Sequence, residues 1–269
     1  TERNTLMKLS NHLGVYVFHA NLKNLMSVVL INKYRGELLS ELLNRVRSEH
    51  GFSDLEKMTY AGRLDPLASG LMIILTGDDV HKKTDYSGLD KFYTAEIVFG
   101  IQTDTYDILG MPTELSDTDI AIEKITTVLQ GLVGTYDQDY PAYSSKTVDG
   151  TPMWSLARDG ELPETHPSHT ITVYSADVLE IKKISSQKLL QDIHTLCDTV
   201  TGDFRQTEIA TTWNNQLKNH DRELVLVRIE FVVSSGTYIR SLAHQLGQLT
   251  STGACLLTLH RTRIGDYCV

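Results

Sequence analysis

The run AGRLDPLASGLMIILTGD over residues 61–78 constrains this chain more than any other segment. An Asp-Pro pair bracketed by Gly62 and Gly70 describes a tightly shaped loop, because glycine supplies backbone conformations closed to other residues and proline fixes its own φ. The loop leads at once into LMIILTG (71–77), which has the length and composition of a buried strand. The segment therefore predicts a single carboxylate, Asp65, presented from a rigid base. Alone, an Asp-Pro pair signals only a turn.

The flanking segments alternate between strand and helix patterns. VYVFHA and SVVLI, between Gly14 and Ile31, suggest two early strands, and Leu38, Leu39, Leu42, Leu43 and Val46 recur at helical spacing from Arg35 to His50. KFYTAEIVFG (91–100) sets Tyr93, Ala95, Ile97 and Phe99 on one face and Thr94 and Glu96 on the other, the period of a half-buried strand. SDTDIAIEKITTVLQG (116–131) predicts a helix with Ser and Asp as candidate N-caps, closing on Gly131. Strands are expected over 171–184 and 224–236, and a helix over 237–249. Between them, about 185–223 is polar, holds a helical stretch near Leu189 to Leu196, and reads as an insertion or a mobile subdomain. Many strands with interspersed helices predict an α+β fold around a mainly antiparallel sheet.

Composition narrows the setting. With 269 residues and 41% hydrophobic content, the chain can bury a substantial core as one large domain with an insertion. No run approaches the roughly 18 consecutive apolar residues of a membrane span. The first residues lack the apolar core of a signal peptide, so a cytoplasmic setting without membrane contact is the expectation. Cys197, Cys255 and Cys268 are far apart and predict neither disulfides nor a zinc site. A net charge of −9 counts against extensive phosphate contacts, although a local basic groove can sit on an acidic protein. GxSxG, HExxH and Walker motifs are absent, which counts against the common hydrolase classes.

Four ordered segments carry a family resemblance. GRLDPLASG resembles the catalytic GxLDPxAxG motif of the TruB family of pseudouridine synthases, and KFYTAEIVFGIQTDTYDILG resembles that family's K-x-Y strand followed by G-x-x-T-D-T-x-D-x-x-G. YPAYSSKTVDGTPMWSLARDG and SSGTYIRSLAHQLGQLTSTGACLLTLHRTRIGDY resemble its P-x-Y-S-A-x-K and S-K-G-T-Y-I-R segments, the latter ending in L-R-R-T. A fainter match, INKYRGELLSELLNRVR, corresponds to the family's opening helix entry. The resemblance spans about residues 30 to 267.

What it implies is an RNA pseudouridine synthase fold, with a catalytic cleft across a mainly antiparallel mixed sheet flanked by helices. The implied substrate is the T-arm uridine of tRNA that becomes pseudouridine 55, and no metal or cofactor is required. Asp65 would be the nucleophile, acting at C1′ of the ribose or on the glycal-like species that forms. Tyr93 would stack on the target base, and Arg240 aligns with the arginine that pairs with the catalytic aspartate. Tyr238 and Leu259 would line the uracil pocket. Lys33 and Arg35 in the opening motif, and Tyr143, Ser144 and Lys146 in the PAYSSK loop, would contact backbone phosphates, the base being taken out of its stack.

The chain departs from the family pattern at several points. Tyr60 and Arg63 stand in TYAGRLDP where G-H-x-G-T-L-D-P is usual, and the string GRLD also resembles the rRNA pseudouridine synthases. Leu38 and Leu39 replace Thr-Ser, and Gln245 replaces an Asp. The chain ends at TRIGDYCV, about where the family's catalytic domain hands over to a PUA-type RNA-binding domain, so that module is expected to be missing. The resemblance thus implies a divergent member acting as a monomer on tRNA. The alternatives are another structured RNA as substrate, or a non-catalytic RNA-binding or chaperone role on the same fold.

Overall fold

The computed structural model describes residues 16–17, 28–116, 120–218 and 222–268. The chain divides into two compact units. Unit 1 comprises the chain up to Tyr93, the short stretch Thr199–Thr201 and the C-terminal residues from His260. Unit 2 comprises Thr94–Asp198 and Gly202–Leu259.

In unit 1, β1 (Tyr16–Val17) pairs with β2 (Val28–Lys33), and α1 (Leu39–His50) follows. Next come β3 (Met58–Ala61), β4 (Ala68–Thr76), a 3-10 turn over Gly77–Lys82, α2 (Lys83–Ser87) and the start of β5 (Lys91–Phe99). Both β2 and β3 run antiparallel to β4, with Lys33 opposite Gly70 and Ala61 opposite Ile73. Leu71, Met72, Ile73, Ile74 and Leu75 are all fully buried, so β4 is covered on both faces, which is why its sequence is an unbroken apolar run. Leu71, Ile73 and Leu75 pack with Leu30, Ala61 and Ile264 in one cluster. Truncating any one of these leucines to alanine removes about 2–5 kcal/mol.

Helix α1 begins at Leu39, four residues later than Arg35, because Glu41 reaches back to accept the Leu38 amide at 2.7 Å and sets the first turn there. Leu42 and Val46 form its buried face. Gly51, at φ 69°, closes it. The residues between Val17 and Val28, where part of an early strand is expected, lie outside the described set.

Unit 2 takes up β5 and continues through β6 (Ile101–Thr103), β7 (Pro112–Leu115), α3 (Ile122–Gln130), β8 (Gly134–Asp139), β9 (Thr147–Val148), β10 (Thr151–Pro152) and α4 (Met153–Asp159). It goes on with β11 (Ser168–Ser185), α5 (Ser186–Asp198), α6 (Gln206–Leu217), β12 (Glu223–Val233), α7 (Ile239–Thr250) and β13 (Ala254–Ile264), which re-enters unit 1 and pairs there with β14 (Tyr267–Cys268). In unit 2 the strands lie in the order β13, β5, β12, β11, β8. The long β11 pairs antiparallel with β12 along most of its length and with β8 over its first third. Two register shifts against β12, between Val173 and Ser175 and between Val178 and Glu180, add local twist to it. The expected α+β class with a mostly antiparallel sheet is the one observed.

On β5 the predicted alternation holds: Tyr93, Ala95, Ile97 and Phe99 are buried, and Thr94 and Glu96 are half-buried. Helix α3 differs from its expectation. It starts at Ile122 with Ala121 as its N-cap and no side-chain cap, so Ser116 does not cap it, and the candidate caps Asp117 and Asp119 lie outside the described residues. Within residues 185–218 two helices, α5 and α6, pack together. Leu189, Ile193, Leu196 and Cys197 of α5 and Ile209, Trp213 and Leu217 of α6 are buried, and the Trp213 indole donates to the Gly110 carbonyl at 2.9 Å. Among the described residues no helix is long and apolar enough to cross a membrane.

Candidate active site

In unit 1 the loop from Gly62 to Leu67 joins β3 to β4. The Ala68 amide donates to the Asp65 carbonyl at 3.1 Å, closing a four-residue turn with Pro66 at its second position, where a fixed φ is favoured. Leu64 and Leu67 are buried on either side, so the turn is pinned inward by apolar side chains while Asp65 remains half-buried. Sequence and geometry agree here: the carboxylate is displayed by a turn with no freedom to follow it.

Two buried cations hold that turn through its backbone. Lys33, 1% exposed, donates from Nζ to the carbonyls of Tyr34 (3.1 Å), Pro66 (2.9 Å) and Ala68 (2.7 Å). Arg261, also 1% exposed, donates from Nε to the Leu71 carbonyl (2.8 Å) and from a terminal nitrogen to the Arg63 carbonyl (3.1 Å). Its other terminal nitrogen lies against the Met72 sulfur. Burial pushes the Lys33 ammonium down to about 8; Glu37 and Asp65 oppose the shift, and Arg261 adds to it. A third buried cation, Lys91, donates to the Ser87 and Leu89 carbonyls and is likewise pushed by burial to about 8.

Gly70 shows why glycine is needed at the end of the motif. Its φ is +106°, and a Cβ there would lie 2.3 Å from the Arg261 carbonyl oxygen. The two backbones approach too closely for any side chain.

Lys33 corrects a sequence expectation. It is not a surface phosphate contact but an internal strut whose three N–H groups match three carbonyls. Arg35 and Arg63 are exposed, as an RNA contact requires, and Tyr60 is half-buried. Arg63 and Lys83 both lie over the Tyr60 ring, at 5.7 and 5.1 Å from its centroid. Ser69 bonds to His260 Nδ1 at 3.1 Å, and that imidazole is shifted downward by burial and then by Arg35. Tyr93 is 7% exposed on the inward face of β5.

In unit 2, Arg240 occupies the first turn of α7 and is 4% exposed. It donates to the Thr105 carbonyl at 2.8 Å and to the Tyr143 carbonyl at 3.3 Å, and its Nε lies 3.6 Å from an Asp107 carboxylate oxygen. The other Asp107 oxygen accepts from the Thr105 hydroxyl (2.7 Å) and the Leu109 amide (3.0 Å). The TDTYD run thus folds back on itself and offers Arg240 both a carbonyl and a charge. Tyr106, inside this run, has φ +66° and stacks on His244 of α7 at 3.9 Å. His244 is therefore packed against a ring instead of lying free on the helix surface, and burial lowers its pKa.

The other expected site residues of unit 2 fall into two groups. Tyr238 exchanges two hydrogen bonds with the Gln138 side chain, at 2.8 and 3.2 Å, and its ring meets Tyr140 edge-on at 5.8 Å. Lys146 is exposed and lies 5.2 Å from the Tyr140 ring centroid. Ser144, by contrast, is 3% exposed and donates to the Met153 sulfur at 3.7 Å, so it is no surface phosphate contact either. Leu259 is 6% exposed. The burial of Lys91 and Arg261 does not show in the sequence although both stand inside matched motifs, because a cation in a strand reads as solvent-facing.

A profile described as TruB family pseudouridylate synthase (N terminal domain) matches residues 50–201. A tRNA pseudouridine synthase B from Protochlamydia amoebophila is 31% identical over 247 residues, covering 91% of this chain and 77% of that protein. One from Fusobacterium nucleatum is 28% identical over 240 residues, covering 89% and 68%. Among solved structures, a Cbf5-Nop10-Gar1 complex aligns over 90% of this chain with a TM-score of 0.55 and 20% identity. An H/ACA RNP bound to a substrate RNA containing 2'-deoxyuridine aligns with a TM-score of 0.52 and 20% identity, also over 90% of this chain. These two likenesses show the shared fold, and the chain spans about half the length of the solved chains, 50% and 48%.

Proposed function

The chain belongs to the TruB family of pseudouridylate synthases, and from that membership we propose that it isomerises a uridine to pseudouridine in tRNA, at position 55 of the T loop. The observation that carries this reading is the Asp65 turn: a half-buried carboxylate on a backbone whose carbonyls are gripped by Lys33 and Arg261. Isomerisation breaks the N1–C1′ bond, turns the freed uracil, and forms a C5–C1′ bond. One proton leaves C5 and one is taken up at N1, so the reaction is redox-neutral and calls for neither cofactor nor metal.

Asp65 is proposed as the nucleophile. A group that must keep its position while a detached base turns over benefits from a preorganised support, and a turn fixed by backbone hydrogen bonds supplies one. Tyr93 is the proposed platform for the uracil, with Tyr238 and Leu259 lining its pocket, and Arg240 keeps the role of the motif arginine. Exposed Arg35, Arg63 and Lys146 are the proposed phosphate contacts, with Tyr60 beside Arg63 and Tyr143 offering aromatic surface. The names of the relatives support tRNA as substrate. A monomer in the cytoplasm fits this role.

The test is incubation of purified protein with a T-arm transcript, followed by pseudouridine-specific chemistry. Product with wild type and none with Asp65→Ala is the expected result. No product with wild type, or undiminished product with the variant, rejects the reading. Arg63, which makes the string GRLD, favours a second reading in which the same chemistry acts on rRNA. Mapping modified sites in RNA from cells with and without the gene separates the two.

A further inference from the structure

The turn between α5 and α6 bears on Arg240 without touching it. Arg205, the residue before α6, sits at φ 64°, a left-handed conformation that costs a non-glycine residue about 1–2 kcal/mol. Asparagine or glycine would serve better there if only the backbone mattered. The Arg205 side chain is 16% exposed, and its guanidinium lies 2.9 Å from one oxygen of Asp104, itself 23% exposed. The same guanidinium covers the Tyr143 ring, 4.6 Å from its centroid. The other Asp104 oxygen accepts the Met111 amide at 2.8 Å, which ties the ion pair into the loop backbone.

Both residues gripped by Arg205 belong to the frame of Arg240. Asp104 immediately precedes Thr105, whose carbonyl Arg240 uses, and Tyr143 supplies the second carbonyl. The turn carrying Arg205 is fastened in its own right. Asp203 accepts the Arg205 amide at 3.2 Å and an Arg158 nitrogen at 3.1 Å, the latter from α4 in the matched ARDG segment. The Gln206 side chain closes on the Phe204 amide (2.8 Å) and the Gly202 carbonyl (2.7 Å). Strain at Arg205, a partly desolvated ion pair and an aromatic stack thus converge on the two loops that fix one guanidinium.

We propose that Arg205 is a positioning residue, setting the TDTYD and PAYSSK loops so that Arg240 is held for uridine isomerisation; the inference rests on the function proposed above. An interaction of this kind acts on the rate of the chemical step more than on RNA affinity, because the loops keep their phosphate-facing side chains when the clamp is lost.

Single-turnover assays on a T-arm stem-loop transcript, with affinity measured separately by filter binding, test it. With Arg205→Ala the rate constant is expected to fall by at least about tenfold while RNA affinity stays within about twofold of wild type. Arg205→Lys, which keeps the charge opposite Asp104 but not the planar stack on Tyr143, should recover part of the loss. Asp104→Asn keeps the acceptor for Met111 and removes the charge, so it should slow the step likewise. The double variant Arg205→Ala/Asp104→Asn should be no slower than the worse single one. Wild-type rate constants in both single variants, or a loss confined to affinity, would overturn the proposal. Should Arg205→Ala fail to fold, Asp104→Asn alone decides. Absence of product with wild-type protein is a different result: it rejects the isomerase reading and this inference with it.

Discussion

The ammonium of Lys33 lies 2.7 Å from the carbonyl oxygen of Ala68, thirty-five residues further along the chain. With the Pro66 and Tyr34 carbonyls this completes a three-point cage for a buried charge. Lys33→Met should therefore destabilise the protein by about 2–4 kcal/mol, since three carbonyls lose their donor while the burial penalty of the charge is relieved. Urea unfolding should show a lower midpoint at unchanged slope. An unshifted midpoint contradicts the cage.

Stability should also respond to pH through the buried lysines. Folded, Lys33 and Lys91 titrate at about 8, against 10.5 ordinarily. Between those values the unfolded chain holds more protons, so stability rises with pH through this window, and below about 8 the burial penalty is fully present. The stability of wild type relative to Lys33→Met should grow by about 2 kcal/mol from pH 7 to pH 10. A flat difference contradicts the shift.

At Gly70 the expected change is larger. Gly70→Ala forces a Cβ into the Arg261 backbone at a φ that only glycine adopts readily, so one strand must move. A loss of about 3 kcal/mol or more is expected, with product formation falling alongside because the displaced strand carries the Asp65 turn. Thermal unfolding and the T-arm assay check both halves.

Asp65→Asn separates chemistry from structure. The replacement is of equal size on a turn held by its backbone, so stability should change by no more than about 1 kcal/mol while product formation is abolished. Retained RNA affinity in the same variant shows that the defect is chemical.

Trp213→Phe probes the α6 attachment. Losing the indole donor to the Gly110 carbonyl, together with some packing volume, should cost about 1–3 kcal/mol. Loss of protection in the residues of α6 by hydrogen exchange would place the effect there.

Much of this was legible in the residues themselves. Leu71 to Leu75 announced a buried strand because every one is apolar, and the alternation from Tyr93 to Phe99 survives in the burial of β5. Asp65 was legible because Asp-Pro between glycines leaves the backbone few choices. The destinations of Lys33 and Arg261 were not. A cation buries only where backbone carbonyls meet it, and those at Arg63, Pro66, Ala68 and Leu71 are distant in sequence from one or the other. Helix α6 escaped for another reason: Ile209, Trp213 and Leu217, its three buried residues, are spaced four apart in a mostly polar run. Ser144 misled because a hydroxyl in a loop gives no sign of the methionine it will meet.

The grip of Arg261 on residue 63 has an evolutionary consequence. It is the carbonyl of Arg63 that is held, while the side chain is exposed. Selection on the shape of the turn is therefore blind to the identity of that residue. Any side chain that suits the backbone there can meet solvent from this loop, with the carboxylate two positions later undisturbed.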